Sequence, residues 1–224
     1  MSLISGHVSR HHRTVRPIRV GHHRRGKRAF DLAFATIFLL FLAPVLVLIA
    51  LALMLQDGRP VFFRHQRIGR DGRMFTCFKF RTMRKDAETA LRDLLEREPA
   101  RREEWARAQK LSDDPRVHTL GRYLRMTSLD ELPQFINVLK GEMSMVGPRP
   151  IMLEELGRYG PHVATYLDMT PGITGPWQVS RGKNGSYEQR VHLDVEYYHN
   201  GSLAKDVSII LKTAGVVLFA LNED

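Results

Sequence analysis

The 224-residue sequence predicts an α+β fold, mostly helical, built around a re-entrant membrane helix with interfacial amphipathic helices and a small β-hairpin. Three observations predict it. Residues 33–55 form one uncharged apolar run with Pro44 at its middle, two strand-like arms flank an Asp71-Gly72 turn, and most other periodic stretches repeat at helical spacing. A chain of this length buries one ordinary core, so one domain with attachments is the economical organisation.

The apolar run would extend roughly 34 Å as a straight helix at 1.5 Å per residue, enough to cross a bilayer. Arg24, Arg25, Lys27 and Arg28 precede it, while Arg59, Arg64, Arg67 and Arg70 follow it. Basic residues are retained on the cytoplasmic side, so both ends are drawn to the same face. Pro44 removes one amide donor and its ring clashes with the carbonyl of residue 40, so a kink or break is expected there. Each arm then reaches about 16 Å, to mid-bilayer and back. An ordinary kinked spanning helix is the alternative, because proline is tolerated in such helices.

The formal net charge is +10, and residues 1–28 carry eight Lys and Arg with no acidic residue. This stretch reads as a basic disordered tail, either simply solvated or attracted to anionic lipid headgroups or nucleic acid. It lacks the pattern of a cleaved signal peptide at the start, so no removal is expected. Residues 29–57 form the membrane helix and residues 58–224 a cytoplasmic, membrane-associated domain. Cys77 is the only cysteine, which excludes an intramolecular disulfide and disfavours a structural zinc site.

In the domain, residues 61–68 and 73–83 are the hairpin arms around a turn at 69–72. Alternation places Lys79 and Arg81 on one side of the second arm, as a solvated face or as anion-binding groups. Residues 86–110 read as two exposed helices, the second starting at Pro99, with Leu91, Leu94, Leu95 and Trp105 turned inward. Another helix is expected from Asp114-Pro115 through Leu124, and a further one from about Asp130 to Leu139, stopped by Gly141. Gly147-Pro148-Arg149-Pro150 and Pro171-Gly172-Ile173-Thr174-Gly175-Pro176 are rigid turns. Residues 203–221 have apolar positions at helical spacing, interrupted by Lys205, Asp206 and Lys212, which suits an interfacial or core-packing helix.

Asp130 and Glu131 are adjacent carboxylates at a helix start, five and six residues after Arg125. The bland account is a capping box between Ser128 and Glu131. Pro133 sits badly beyond the first turn if Ser128 is the cap, and better if Asp130 is. The chemical account is a carboxylate that attacks phosphorus beside a magnesium ion, which needs few protein oxygens and completes its shell with phosphate and water. Lys79, Arg81, Arg125 and Arg149 are the candidate cationic clamp for phosphoryl transfer. No Walker loop, zincin motif or nucleophile elbow competes.

Five segments in order resemble the bacterial sugar transferase family, the small membrane-embedded phosphoglycosyl transferases acting on polyprenyl phosphate. They are Lys79-Phe80-Arg81-Thr82-Met83, Ser128-Leu129-Asp130-Glu131-Leu132-Pro133-Gln134, Asn137-Val138-Leu139-Lys140-Gly141-Glu142-Met143-Ser144, Gly147-Pro148-Arg149-Pro150 and Pro171-Gly172-Ile173-Thr174-Gly175. The resemblance implies that Asp130 is the nucleophile, forming a phosphosugar aspartate, and that Glu131 completes the acid pair at Mg2+. It implies Arg149 at the nucleotide or pyrophosphate, Arg125 near the polyprenyl phosphate, and a re-entrant segment with a small residue before its proline, here Ala43-Pro44. The charged insert between residues 83 and 112 is similar to the hexose-phosphate branch. Two departures stand out. Arg181-Gly182 replaces the usual Gly-Arg, so Arg181 is given no substrate contact, and His199-Asn200-Gly201-Ser202 lacks the Trp that commonly precedes that Ser.

The expected activity is transfer of hexose 1-phosphate from a UDP-sugar to undecaprenyl phosphate with release of UMP, the first membrane step of exopolysaccharide or glycoconjugate synthesis. Expected partners are the UDP-sugar, undecaprenyl phosphate and anionic lipid headgroups, with no nucleic acid; a homo-oligomer is compatible with the sequence. The expected place is the cytoplasmic face of the bacterial inner membrane. Two rivals stay open: a non-enzymatic basic membrane protein that recruits partners through its tail, and a spanning glycosyltransferase that releases UDP.

Overall fold

A computed structural model describes residues 24–108, 111–180 and 186–220. Most of the basic tail, residues 1–23, and Arg181-Gly182 lie outside the described residues. Helix α1 spans Arg24–Asp57, so residues 24–28, expected in the tail, are its first turns. The helix runs through Pro44 without the break that was one of the two expectations there. One missing donor removes a single ladder bond, and Leu, Ile and Ala on both sides keep the helix going.

One stripe of α1 is covered, including Ala35, Ile49 and Leu53, whereas Phe41 is 78% and Leu55 86% exposed. Such a lipid-like surface on a 34-residue helix has no counterpart in a soluble core. Both ends of α1 are fastened to the same domain. At the first end, Arg28 donates to the carbonyls of Val138 (2.6 Å) and Leu139 (3.0 Å), Lys27 pairs with Asp206 at 2.7 Å, and Asp31 accepts from the Met145 amide at 3.0 Å. At the other, Arg81 Nη2 donates to the carbonyls of Asp57 (3.0 Å) and Gly58 (2.8 Å), a cation on the negative end of the helix dipole.

Strands β1 (Phe62–Ile68) and β2 (Met74–Phe80) pair antiparallel from Phe62 opposite Phe80 to Ile68 opposite Met74. The hairpin is as expected. Its turn needs two left-handed residues, supplied by Asp71 (φ 57°) and Gly72 (φ 75°). Helix α5 (Gln134–Lys140) packs on β2 through Asn137, whose amide accepts from Phe78 N at 3.1 Å and donates to Thr76 O at 2.7 Å. A fully buried amide must be satisfied in this way, and here it locks α5 to the strand.

Helices α2 (Ala87–Arg97) and α3 (Pro99–Ala108) match the expected pair, with Leu91, Leu94, Leu95 and Trp105 half-buried. The Arg116 guanidinium lies 5.0 Å from the Trp105 ring centroid. Residues 114–118 are not helical. Asp114 turns its carboxylate back onto the Arg116 amide at 3.0 Å and its guanidinium at 2.6 and 2.7 Å, so the chain bends and α4 (Thr119–Met126) starts later, capped by His118. The helix expected over 130–139 is split: a 3-10 turn at Leu129–Glu131 precedes α5, and Gly141 ends α5 at φ 83° as expected.

Beyond Gly141 the chain forms β3 (Ser144–Val146), a 3-10 segment (Leu153–His162), α6 (Val163–Asp168), β4 (Gly172–Thr174), α7 (Pro176–Ser180), α8 (Tyr187–Asn200) and α9 (Leu203–Ala220). Strands β3 and β4 pair in parallel, a pairing that the sequence does not announce. Helix α9 matches the expected C-terminal helix. Buried Ile209 and Asp206 face the domain, and Val207 and Leu211 are exposed.

Candidate active site

Asp130 and Glu131 sit on the 3-10 turn between α4 and α5. Ser128, just before it, has φ 56°, a left-handed conformation that costs an L-residue about 1 kcal/mol. Ser128 makes no side-chain capping bond, and the residue at the cap of α5 is Pro133, again without one. The Ser128 half of the expected capping box is therefore not formed. The local strain turns Asp130 inward, to 8% exposure.

Lys79 reaches across from β2. Its ammonium is 2.6 Å from Glu131 Oε1 and 3.9 Å from Asp130 Oδ2, while Arg149 Nη1 is 3.9 Å from Glu131 Oε1. Desolvation raises the Asp130 pKa from 3.8 to about 6; Lys79 opposes that rise, Glu131 adds to it, and Arg125 opposes it. Asp130 is thus a carboxylate at neutral pH, but a poorly solvated one.

Arg149 is held by two loops packed backbone to backbone. A Cβ on Gly147 would lie 2.3 Å from Thr170 O, and one on Gly172 would lie 2.1 Å from Gly147 N. Only glycine fits these contacts. They are closed by bonds from Gly147 N to Thr174 O (2.9 Å) and from Gly172 N to Pro148 O (2.9 Å).

A shallow, open cleft lies against this group, lined by Arg67, Lys79, Glu131, Gln134, Arg149 and Gln178 among others. Three cations around one carboxylate suit a polyanion. Of the residues singled out in the sequence, Lys79 and Arg149 are brought to the Asp130–Glu131 pair. Arg125 is exposed and donates to Thr82 Oγ1 at 2.8 Å, close enough for its charge to act on Asp130. Arg81 lies elsewhere, buried against the end of α1, and serves as a tether between α1 and β2.

Arg67 was missed. It is half-buried, 3.4 Å from Glu155 Oε1 and 3.2 Å from His65 Nδ1, with burial and the Arg149 charge disfavouring its cationic form and Glu155 favouring it. Its signal lay in the register: residues 63, 65 and 67 oppose 79, 77 and 75, so Arg67 shares a face with Lys79. Gln134 closes the segment 128–134 that resembles the family, whereas Gln178 carries no comparable signal in sequence. Among the described residues, no cluster of three metal-ligating side chains occurs. Asp130 and Glu131 fit a hard cation that takes one or two carboxylates, and the desolvation that lifts the Asp130 pKa is what a nearby divalent charge would relieve.

The profile of the bacterial sugar transferase family matches residues 22–220. The undecaprenyl-phosphate galactose phosphotransferase of Salmonella typhimurium is 45% identical over 86% of this chain and 40% of its own. The exopolysaccharide production protein ExoY of Sinorhizobium fredii is 44% identical over 85% of this chain and 84% of its own. The UDP-glucose:undecaprenyl-phosphate glucose-1-phosphate transferase of Escherichia coli is 40% identical over 86% of this chain and 40% of its own. The chain thus spans about two fifths of the Salmonella and Escherichia relatives and most of the Sinorhizobium one. With this match, the chain belongs to the bacterial sugar transferase family.

Proposed function

We propose that the protein transfers hexose 1-phosphate from a UDP-sugar to undecaprenyl phosphate, releasing UMP, on the cytoplasmic face of the bacterial inner membrane. The observation that carries this reading is a buried carboxylate, Asp130, 3.9 Å from Lys79, whose ammonium lines a cleft together with Arg67, Glu131 and Arg149. The names of the Salmonella and Escherichia relatives support it.

Arg149 and Lys79 receive the pyrophosphate in the cleft, and Arg67 extends the same positive surface. An Asp130 Oδ atom attacks the phosphorus that bears the sugar. The new Oδ–P bond forms as the bond from that phosphorus to the bridging oxygen breaks, and UMP leaves with the electron pair. A phosphate oxygen of undecaprenyl phosphate, guided by Arg125, then attacks the same phosphorus and restores the Asp130 carboxylate. Burial strips Asp130 of solvating water and leaves it an able nucleophile above pH 6. Asp130 and Glu131 would hold magnesium, which would neutralise phosphate charge there. Glu131, fixed by Lys79 at 2.6 Å, keeps the pair in register with the cleft.

The membrane helix is read as re-entrant because Arg28 and Asp57, near its two ends, are both tied to one domain, which cannot lie on both sides of a bilayer. Exposed Phe62, Phe63, Tyr123 and Met126 give the domain further apolar surface for the headgroup region. A soluble nucleotide sugar and a lipid phosphate meet only at that boundary. The test uses purified full-length protein with magnesium, undecaprenyl phosphate and a panel of UDP-hexoses. The expected products are UMP and a lipid-linked hexose diphosphate; release of UDP would reject the reaction class.

A further inference from the structure

Helix α8 carries a charge cluster in the core that the proposed chemistry does not use. Asp194 is fully buried and Arg190 6% exposed, within an apolar cluster that includes Ile68, Ile151, Tyr159 and Tyr166. Tyr159 donates to Asp194 Oδ2 at 2.7 Å, and Arg190 Nε lies 3.9 Å from the same oxygen. Arg190 Nε and Asp194 Oδ1 have no hydrogen-bond partner among the described residues. A buried pair satisfied this incompletely stabilises a core less than apolar residues of the same volume would.

A role is visible in what Arg190 touches. Its Nη2 donates to the backbone carbonyl of Arg149 at 2.9 Å, and its Nη1 lies 3.9 Å from Glu155 Oε2. Glu155 also pairs with Arg67 and accepts from the Met152 amide at 3.1 Å, and Tyr166 bridges the Ile151 amide and the Ile68 carbonyl. One cluster therefore fixes the backbone at Arg149 and the side chain of Arg67, two of the three cations of the cleft.

We propose that Arg190 and Asp194 are positioning residues that hold Arg149, and through Glu155 also Arg67, in place for the pyrophosphate of the nucleotide sugar. Neither touches substrate. Asp194 neutralises Arg190 inside the core and so keeps its fork aimed at the Arg149 carbonyl. The inference rests on the reading of Arg149 as a pyrophosphate ligand.

The test measures binding of UDP, with magnesium, to the full-length protein in detergent by calorimetry, alongside thermal unfolding. Arg149→Ala, Arg190→Gln, Arg190→Lys, Asp194→Asn and the Arg149→Ala/Arg190→Gln double variant are compared. Arg149→Ala is expected to weaken UDP about tenfold, the worth of one charge-assisted bond. Arg190→Gln should weaken UDP several-fold, Arg190→Lys should recover part of that loss, Asp194→Asn should weaken UDP in the same direction, and the double variant should lose less than the two single losses combined, because only the part acting through Arg67 remains once Arg149 is gone. Unchanged UDP affinity in folded Arg190→Gln and Asp194→Asn, with only a lower melting temperature, overturns the positioning role. Losses that add fully in the double variant overturn it as well. If Arg190→Gln does not fold, Arg190→Lys and Asp194→Asn decide. An Arg149→Ala variant that binds UDP normally instead overturns the reading of Arg149 itself.

Discussion

Replacing Asp130 by Asn separates the cost of burying this carboxylate from the chemistry it performs. Folding raises the Asp130 pKa from 3.8 to about 6, mainly by desolvation. The folded protein therefore holds this proton more tightly than the unfolded chain does. Below both pKa values the group is neutral in both states and costs nothing; as pH rises through that window, ionisation opposes folding, and above about 6 the full penalty applies. A rise from 3.8 to about 6, at about 1.36 kcal/mol for each pH unit, amounts to about 3 kcal/mol. At pH 8 the Asn variant should be more stable than the wild type by up to that amount, or about 6–12 °C in melting temperature for a chain of this size. Near pH 5 the gap should shrink to about half. Thermal unfolding of both proteins in the same detergent at pH 8 and pH 5 measures it. An Asn variant no more stable at pH 8, or a gap that does not narrow at pH 5, refutes the argument that Asp130 is held at an electrostatic cost.

The same carboxylate should shape the rate. The kcat/KM for the UDP-sugar should fall on the acidic side as Asp130 takes up its proton, and that limb should move to lower pH as magnesium is raised. Lys79→Ala removes a charge that lowers the Asp130 pKa, so its acidic limb should move to higher pH and its rate fall by about a hundredfold or more, read from the same profile. Gly147→Ala would drive a Cβ to 2.3 Å from the Thr170 carbonyl, so it should destabilise the protein by about 3 kcal/mol in thermal unfolding. Reporter tags at the two ends of the chain should both report the cytoplasmic side, and Pro44→Leu should favour a spanning helix with lower activity; tags on opposite sides of the wild type would reject re-entry.

Much of this architecture was legible in sequence because its signals are local. The Asp71-Gly72 turn announces the hairpin, Pro99 the start of α3, Gly141 the end of α5, and the uninterrupted apolar run the helix α1. The illegible parts depend on partners distant in the chain. The β3–β4 pairing joins two three-residue strands, too short for any periodicity, and is dictated by the approach of Gly147 to Gly172. Asp114-Pro115 looks like a helix start until the Asp114 carboxylate is seen to fold back on Arg116. At the site, Asp130, Glu131, Lys79 and Arg149 stand out by residue type and motif before their contacts are known. Arg81 has the residue type of an anion ligand but a place beside the α1 terminus, whereas Arg67 required the hairpin register to be placed on the Lys79 face.

The central claim is that Asp130 carries the sugar phosphate covalently. Its most direct test is incubation of enzyme with magnesium and a UDP-sugar labelled in the sugar, without lipid acceptor, followed by peptide mapping. The account predicts label on Asp130 with an equal amount of released UMP, loss of that label when undecaprenyl phosphate is added, and no label in Asp130→Asn. UMP formed only when lipid is present, with no labelled protein at any time, would contradict it.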